Sequence, residues 1–106
     1  MNYLRIKKNA DFQKLFQRGK KVFSPDITLL YFPSKYLSMG LAVSKKHGKA
    51  VQRNRIKRLI RAALMQNVKD LKSTYSMVFI AKQADEYSLQ NFLKSLHFLF
   101  KKEGLL

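Results

Sequence analysis

An apolar stripe within residues 49–69 is the feature that most constrains the fold of this chain. Its six members recur at helical spacing: Ile56, Leu59, Ile60, Ala63, Leu64 and Val68. Because this period matches the turn of an α-helix, the segment predicts a long helix with one face packed in a core. The rest of the same helix carries five Lys or Arg between Arg53 and Arg61, and no acid lies between Lys45 and Lys69.

A shorter pattern near the N-terminus predicts a second helix. In "NADFQKLFQRG" the spacing of Phe12, Leu15 and Phe16 places all three side chains on one helical face. Asn9 is the expected N-cap, and Gly19 is expected to end the helix.

Three segments rich in β-branched and aromatic residues predict strands: 21–32 with a bend at Pro25, 39–44, and 75–81. Apolar residues lie on both sides of the first strand, so both of its faces are expected to be covered. The short connection to the second strand predicts that the two pair antiparallel. A last helix over 88–102, N-capped by a serine, completes the order α-β-β-α-β-α. The expected fold class is α+β, a single α-β sandwich of helices on a small sheet.

The charge balance narrows the class of partner. Lys and Arg number 22 against 6 Asp and Glu, which gives a formal net charge of +16. Because a polyanion is the usual partner of such a surface, nucleic acid is the first candidate and an anionic membrane the second. The length suits one domain over residues 1–106, and the lack of cysteine excludes disulfides and thiolate chemistry. Without a signal-peptide pattern or a run of 18 apolar residues, a cytoplasmic protein is expected.

The polar residues of the long helix form rows along its surface. Residues four apart make one row, and the other polar positions lie beside it: Arg53, Lys57 and Arg61, then Asn54, Arg58 and Arg55. A solvated helix face is the plain alternative, but such faces usually interleave Glu with Lys. Guanidinium groups bind phosphate through two hydrogen bonds at once, so the rows favour a phosphate-binding surface. Lys45, Lys46 and Lys49 in the preceding loop are accessory candidates.

The aromatic and histidine residues admit more than one interpretation. Phe12, Phe16 and Tyr31 could each be core residues, or together they could line a groove in which their rings stack unpaired bases. His47, in the Lys-rich loop, is a candidate phosphate contact, whereas His97 is interpreted as a structural or rim residue. The sequence contains no recognisable catalytic constellation and no metal-ligand spacing.

The stretch "SKKHGKAVQRNRIKRLIR", residues 44–61, resembles the signature of the bacterial ribonuclease P protein family. Three further segments are similar to its first helix, second strand and last helix: "RIKKNADFQKLFQRGK", "LAVSKK" and "SLQNFLKSLHFLFKK". The resemblance implies an α-β sandwich similar to a ribosomal-protein domain. It also implies a left-handed β-α-β crossover through the Arg-rich helix, against the usual right-handed rule.

The same resemblance implies a function. Catalysis would belong to the ribonuclease P RNA, which uses bound Mg²⁺ to remove the 5′ leader of precursor tRNA, and neither membrane nor DNA would be a partner. By position, three residues would form the leader-binding cleft: Phe12, Phe16 and Tyr31. Four would lie near the leader and the RNA core: Arg53, Asn54, Lys57 and Arg61. Arg55 and Arg58 would touch the RNA subunit or support the fold.

Two departures from the family pattern are visible. Ala62 stands where Glu is common, and "SPDI", residues 24–27, replaces a common Asn-Arg pair, which removes a possible ion pair and a basic contact. A ribosomal or general RNA-binding protein would share the charge of this chain. A cationic membrane-surface protein would instead need helices with exposed apolar faces.

Overall fold

Residues 3–6 and 8–106 are described by the computed structural model, except for the side chain of Asn9. Three helices lie in this part of the chain: α1 (Asn9–Arg18), α2 (Ala50–Asn67) and α3 (Leu89–Lys102). One sheet contains five strands: β1 (Leu4–Arg5), β2 (Lys20–Phe23), β3 (Ile27–Pro33), β4 (Ser38–Ala42) and β5 (Tyr75–Ala81). Short 3₁₀ turns at Lys45–His47 and Val68–Asp70 precede and follow α2.

The helix ends agree closely with the capping residues in the sequence. The side chain of Ser88 accepts a hydrogen bond from the backbone N–H of Asn91 at 3.1 Å, which confirms the serine N-cap of α3. Gly19 ends α1 as predicted, and its N–H donates to a carbonyl of the last turn at 2.8 Å. The predicted cap of α1 is wrong by one residue, because the backbone of Asn9 is already helical and Lys8 is the N-cap.

The strand order is β1-β4-β5-β3-β2, with β5 at the centre. β5 pairs parallel with β4 and antiparallel with β3, so the predicted pairing of β3 with β4 is wrong. Successive buried residues at Met77–Phe79 require cover on both faces, which a central position supplies. The 18-residue helix α2 gives the chain enough length to bring β5 back parallel beside β4.

The segment 21–32 forms two strands rather than one bent strand. β2 and β3 are antiparallel neighbours, and the break between them falls at the predicted Pro25. The side chain of Ser24 closes this turn, because its Oγ donates to the carbonyl of Ile27 at 2.7 Å and accepts from its N–H at 3.2 Å. The sequence pattern did not predict β1, since two residues carry no periodic signal.

Helices cover the two faces of the sheet unequally. On one face α2 and α3 pack together over Ile27, Leu29 and Tyr31 of β3. On the other, α1 alone crosses the sheet above Leu30. Alternate residues of a strand point to opposite faces, so the prediction that both faces of this strand are covered is confirmed. All six residues of the predicted apolar stripe of α2 are buried or half-buried.

The connection through α2 is the expected β-α-β unit between parallel neighbours. Its left hand stays a prediction of the family resemblance. The predicted order α-β-β-α-β-α is thus retained, with β1 added before α1 and the first strand divided in two. Across residues 3–6 and 8–106, no helix combines the length and apolarity needed to cross a membrane.

Candidate nucleic-acid interface

The buried stripe of α2 fixes which side of the helix faces outward. Ile56 and Ile60 are fully buried in the core shared with α3, so the polar positions between them lie on the surface. Three of these polar residues are exposed and three are half-buried: Asn54, Arg55 and Arg58, then Arg53, Lys57 and Arg61. In the described part of the chain the single ion pair joins Lys20 to Glu103, so no carboxylate there neutralises the cations of α2.

Two members of the half-buried row of α2 face the edge of the sheet. Lys57 and Arg61 line a cavity of about 180 Å³ together with Arg5 of β1 and Met39 of β4. Three cationic side chains therefore meet at one concave site, and none of the described residues lining it is acidic. Phosphate oxygens accept hydrogen bonds from guanidinium and ammonium groups, so they match this site. Arg5 was not predicted from the sequence, because a two-residue edge strand has no periodic pattern.

The first turn of α2 adds to the positive potential. Its N-cap, Lys49, makes no side-chain capping bond, and the turn contains no acid to offset the helix dipole. Lys45, Lys46 and Lys49 are all exposed around this end of the helix. Arg53 has a buried Nε without a hydrogen-bond partner among the described residues. An oxygen acceptor from a ligand would satisfy this donor.

His47 does not belong to the cationic surface, and its prediction as a phosphate contact is wrong. The ring is buried, with Nε2 3.1 Å from the carbonyl oxygen of Ala81 and Nδ1 2.6 Å from the hydroxyl of Tyr87. Because a carbonyl only accepts, Nε2 is the donor to Ala81, and Nδ1 pairs with the hydroxyl of Tyr87. The residue therefore anchors the loop before α2. His97 is exposed on α3, which agrees with a rim position.

On the opposite face of the sheet, α1 carries two of the predicted aromatic residues. Leu15 is buried beneath the helix, and Phe12 and Phe16 lie to one side of it. Phe12 is partly buried, whereas Phe16 is 49% exposed. A Cβ at position 40 would lie 3.0 Å from two ring carbons of Phe12. Gly40 thus permits the close approach of α1 to β4, which sets the position of both rings.

Tyr31 does not share a site with Phe12 and Phe16, so the prediction of one wall formed by three rings is wrong. Its ring lies on the face covered by α2 and α3 and is only 8% exposed. The reason is the alternation of side chains along β3, which places the neighbours Leu30 and Phe32 on the α1 face instead.

The hydroxyl of Tyr31 belongs to a structural cluster. It donates to Oε1 of Glu103 at 2.6 Å, and the same oxygen lies 2.7 Å from Nζ of Lys20. Burial, reinforced by the neighbouring Glu103 carboxylate, raises the pKa of Tyr31 well above its usual value. The hydrogen bond from Lys20, and then that from Tyr31, lowers the pKa of Glu103. These contacts join β2 and β3 to the end of α3.

Beside α1, a groove of about 660 Å³ lies between the helix and one end of the sheet; we call it the α1 groove. Three cations outnumber one acid in its lining, which also carries hydroxyl groups and an aromatic ring: Arg5, Lys8, Lys14, Asp11, Ser34, Ser38, Ser76 and Phe32. Arg5 also lines the cavity beside α2, so the two concave sites adjoin at β1. Sequence patterns could not predict this groove, because its residues come from five separate segments.

On the other side of α1, four strand ends form a second strip, which we call the shelf. Strand pairing places its four residues side by side: Ala42, Ile80, Thr28 and Phe23. The first two pack with Phe12 in one cluster, so the shelf borders the side of α1 that carries Phe12 and Phe16. Beyond Ala42 the chain enters the basic loop that leads to the first turn of α2.

This combination of an unpaired cationic helix with basic and aromatic strips on a partly open sheet defines an α+β protein of the nucleic-acid-binding class. Comparison with known proteins gives the family, since residues 1–104 match the family model described as Ribonuclease P. The chain belongs to the ribonuclease P protein family, and its function is that of a protein subunit of this tRNA-processing ribonucleoprotein.

Individual relatives support the assignment. The chain is 41% identical over 104 residues to the ribonuclease P protein component of Bacillus velezensis, covering 95% of this chain and 90% of the relative. It is 41% identical over 111 residues to the component of Clostridium kluyveri, covering 99% and 98%. The RNase P protein of Staphylococcus aureus superposes with a TM-score of 0.85 at 31% identity, covering 98% of both chains. That of Thermotoga maritima, at 24% identity and a TM-score of 0.81 over 92% and 96%, shares the fold.

Proposed function

We propose that this chain binds the RNA subunit of ribonuclease P through α2 and the 5′ leader of precursor tRNA through the face crossed by α1. The observation that carries the proposal is the cationic surface of α2, which has no ion pair among the described residues and adjoins the α1 groove at Arg5. Approaching phosphates would relieve the repulsion among these cations and release their counterions.

The two sets of polar residues on α2 have different partners in this proposal. Arg55 and Arg58 are exposed, which leaves them open to a large partner, and they would contact the RNA subunit. Lys57 and Arg61 face the sheet edge, and together with Arg53 and Asn54 they would hold phosphates where leader and RNA core meet. The exposed loop lysines would add longer-range attraction for both RNAs: Lys45, Lys46 and Lys49.

The sheet face crossed by α1 carries aromatic rings and cations, which suit the bases and phosphates of a single-stranded leader. Phe16 exposes half of its surface beside the shelf, and Phe12 lies next to it over Gly40. Base stacking on such rings contributes about 1–3 kcal/mol per base and tolerates any sequence. The cations of the α1 groove would follow the phosphates of the strand. Tyr31 would not contact the leader, because its ring is buried on the other face of the sheet.

Hydrolysis of the phosphodiester is assigned to the RNA subunit. Within the described residues, no group of three or more His, Cys, Asp or Glu side chains is placed to hold a metal ion. Mg²⁺ bound to RNA would supply an activated water and stabilise the leaving oxygen. The protein would lower phosphate repulsion and position the leader, in the cytoplasm and without a membrane or DNA partner.

Reconstitution with the cognate catalytic RNA tests this proposal. At a Mg²⁺ concentration too low for the RNA alone, adding the protein should restore cleavage of precursor tRNA. Arg53→Ala and Lys57→Ala should weaken binding of precursor much more than of mature tRNA, because only the precursor carries a leader. Lys101→Ala, which removes an exposed cation from α3, is the matched control and should change neither affinity. Equal losses for both tRNAs would argue against a leader-binding role.

A further inference from the structure

The ring of Phe23 is both exposed and flanked by cations. The side chain is 52% exposed, and the ammonium nitrogens of Lys21 and Lys82 lie 5.5 and 5.2 Å from its centroid. Both distances fall within the range of cation–π attraction. Among the described residues neither Lys21 nor Lys82 forms an ion pair with an acid, and the carboxylate of the nearby Asp26 accepts a hydrogen bond from Ser95 of α3.

Strand register places Phe23 at the far end of the shelf. It pairs with Thr28, which pairs with Ile80, which in turn pairs with Ala42. Three inter-strand spacings of about 4.8 Å separate the two ends, or about 14 Å in all. The three other residues of the shelf are uncharged and buried or half-buried, and none of them is aromatic. Phe23 is therefore its only aromatic member. Phe16 stands along the side of this strip rather than at its end.

An exposed ring with two ammonium groups close by has the chemistry of a nucleotide subsite. Every base has a flat face that stacks on an aromatic ring. The two ammonium groups can pair with the phosphates that precede and follow that base. The same cations oppose the docking of an apolar or basic protein surface, because their hydration would be lost without compensation. A single-stranded polyanion is therefore the occupant that this site fits.

We propose that Phe23, Lys21 and Lys82 form a distal subsite that stacks one unpaired nucleotide of the 5′ leader. This inference rests on the proposed leader-binding function and extends it, because it assigns a new contact and a length requirement. A leader too short to cross the shelf cannot reach Phe23, whereas a longer one gains the contact. The protein would thus favour precursors whose leaders exceed a threshold length.

Binding of precursor tRNAs to the reconstituted holoenzyme tests the subsite. The substrates carry leaders that lengthen one nucleotide at a time, and mature tRNA is included. Phe23→Ala should leave short-leader and mature tRNA affinities unchanged and weaken long-leader binding by about five-fold or more, the lower bound for losing one stacked base. The length at which the loss begins would count the nucleotides between the cleavage site and Phe23.

Three further variants make the outcome decisive. Phe98→Ala is the matched control, since Phe98 is 48% exposed with Lys102 5.7 Å from its centroid but lies on α3, across the sheet. It should produce no length-dependent loss. Phe23→Trp should retain long-leader affinity, and Phe23→Leu, which keeps the apolar bulk without the aromatic face, should lose it.

Two results would overturn the subsite. One is a Phe23→Ala loss that is equal for all leader lengths and for mature tRNA, and the other is a Phe23→Leu variant that binds like the wild type. Phe16→Ala separates this failure from that of the proposed function. If Phe16→Ala weakens precursor binding and Phe23→Ala does not, only the subsite is wrong. If neither variant distinguishes precursor from mature tRNA, both proposals are wrong.

Discussion

The two faces of the sheet differ in how completely helices cover them. On the face packed against α2 and α3, Phe79 and Phe100 are fully buried, and even the polar Glu103 is bound by two partners. On the face crossed by α1 alone, Phe16 and Phe23 expose about half of their surfaces, at 49% and 52%. The aromatic rings of Phe79 and Phe100 are thus used for packing, whereas those of Phe16 and Phe23 remain half-exposed.

In this small domain, the face under α2 and α3 contributes mainly to stability, and the face crossed by α1 has the proposed binding role. Burial of apolar surface stabilises the fold roughly in proportion to the area removed from water, so a half-exposed ring contributes less than a buried one. In the proposed function, the bound leader would cover the rings that the fold leaves open beside α1. Four substitutions with decreasing expected effects on stability test this contrast between the faces.

Phe100→Ala should have the largest effect. The side chain is fully buried and packs edge-on against Phe79 with centroids 6.2 Å apart. Truncating such a ring typically costs about 3–5 kcal/mol through lost burial and a residual cavity. Urea denaturation followed by circular dichroism would measure the free energy of unfolding. A loss no greater than that of Phe16→Ala would remove the distinction between the two faces.

Gly40→Ala should have an intermediate effect on stability, and it should also affect binding. The added methyl group would lie 3.0 Å from ring carbons of Phe12 and 3.1 Å from Cβ of Ile6, so α1 or its ring must move. We expect a loss of about 1–2 kcal/mol in unfolding free energy together with weaker precursor binding. Adding Phe12→Leu should recover part of the stability. If it recovers none, the ring of Phe12 is not what resists the methyl group.

Glu103→Gln should cost about 1 kcal/mol at neutral pH, because the charge-assisted hydrogen bond with the exposed Lys20 is lost while that with Tyr31 can remain. Its effect should also depend on pH. The pKa of Glu103 is lowered from an ordinary value of 4.5, so the folded state binds this proton less readily than the unfolded chain. The stabilisation is present above that value and is lost as pH falls through the lowered pKa.

Thermal melts of both proteins from neutral to acidic pH would test the role of Glu103. The stability difference between the wild type and Glu103→Gln should shrink as the medium is acidified, because the wild-type carboxylate becomes protonated. A constant difference across the series would mean that the carboxylate is not responsible.

Phe16→Ala should have the smallest effect on folding and a clear effect on binding. Half of the ring is already exposed, so we expect the unfolding free energy to change by no more than about 0.5 kcal/mol. Precursor affinity should nevertheless fall by the equivalent of about 1–3 kcal/mol, while mature tRNA affinity is retained. Parallel denaturation and binding assays would compare the two quantities, and a large stability loss without a binding loss would reverse the assignment.

Local patterns predicted the helices well, but they could not give the order of the strands. The periodicity of α2 and the serine N-cap of α3 act over a few residues, so the sequence states them directly. The partner of β4 depends on β5, which is more than thirty residues away and becomes central because both of its faces are apolar. The edge strand β1 is fixed by its partner rather than by its own two residues.

The candidate site was predictable where one element carries it and not where several meet. The cationic row of α2 follows from helical spacing, and the structure brings two of its members to one cavity. Tyr31 was misplaced because apolar residues occupy both sides of β3, so alternation alone could not tell which side meets α1. Arg5 and Phe23 were missed for a related reason, since each becomes part of a surface only through strand pairing.

Photocrosslinking of the bound leader would show whether it lies on the sheet face crossed by α1. A precursor tRNA with a photoreactive nucleotide at successive leader positions would be bound to the reconstituted holoenzyme, and the attachment sites on the protein would be mapped by mass spectrometry. We predict attachment to the α1 face, at or beside Phe12, Phe16 and Phe23, and none at Phe98 on α3. Attachment confined to the α3 surface, with none on the face crossed by α1, would contradict the account.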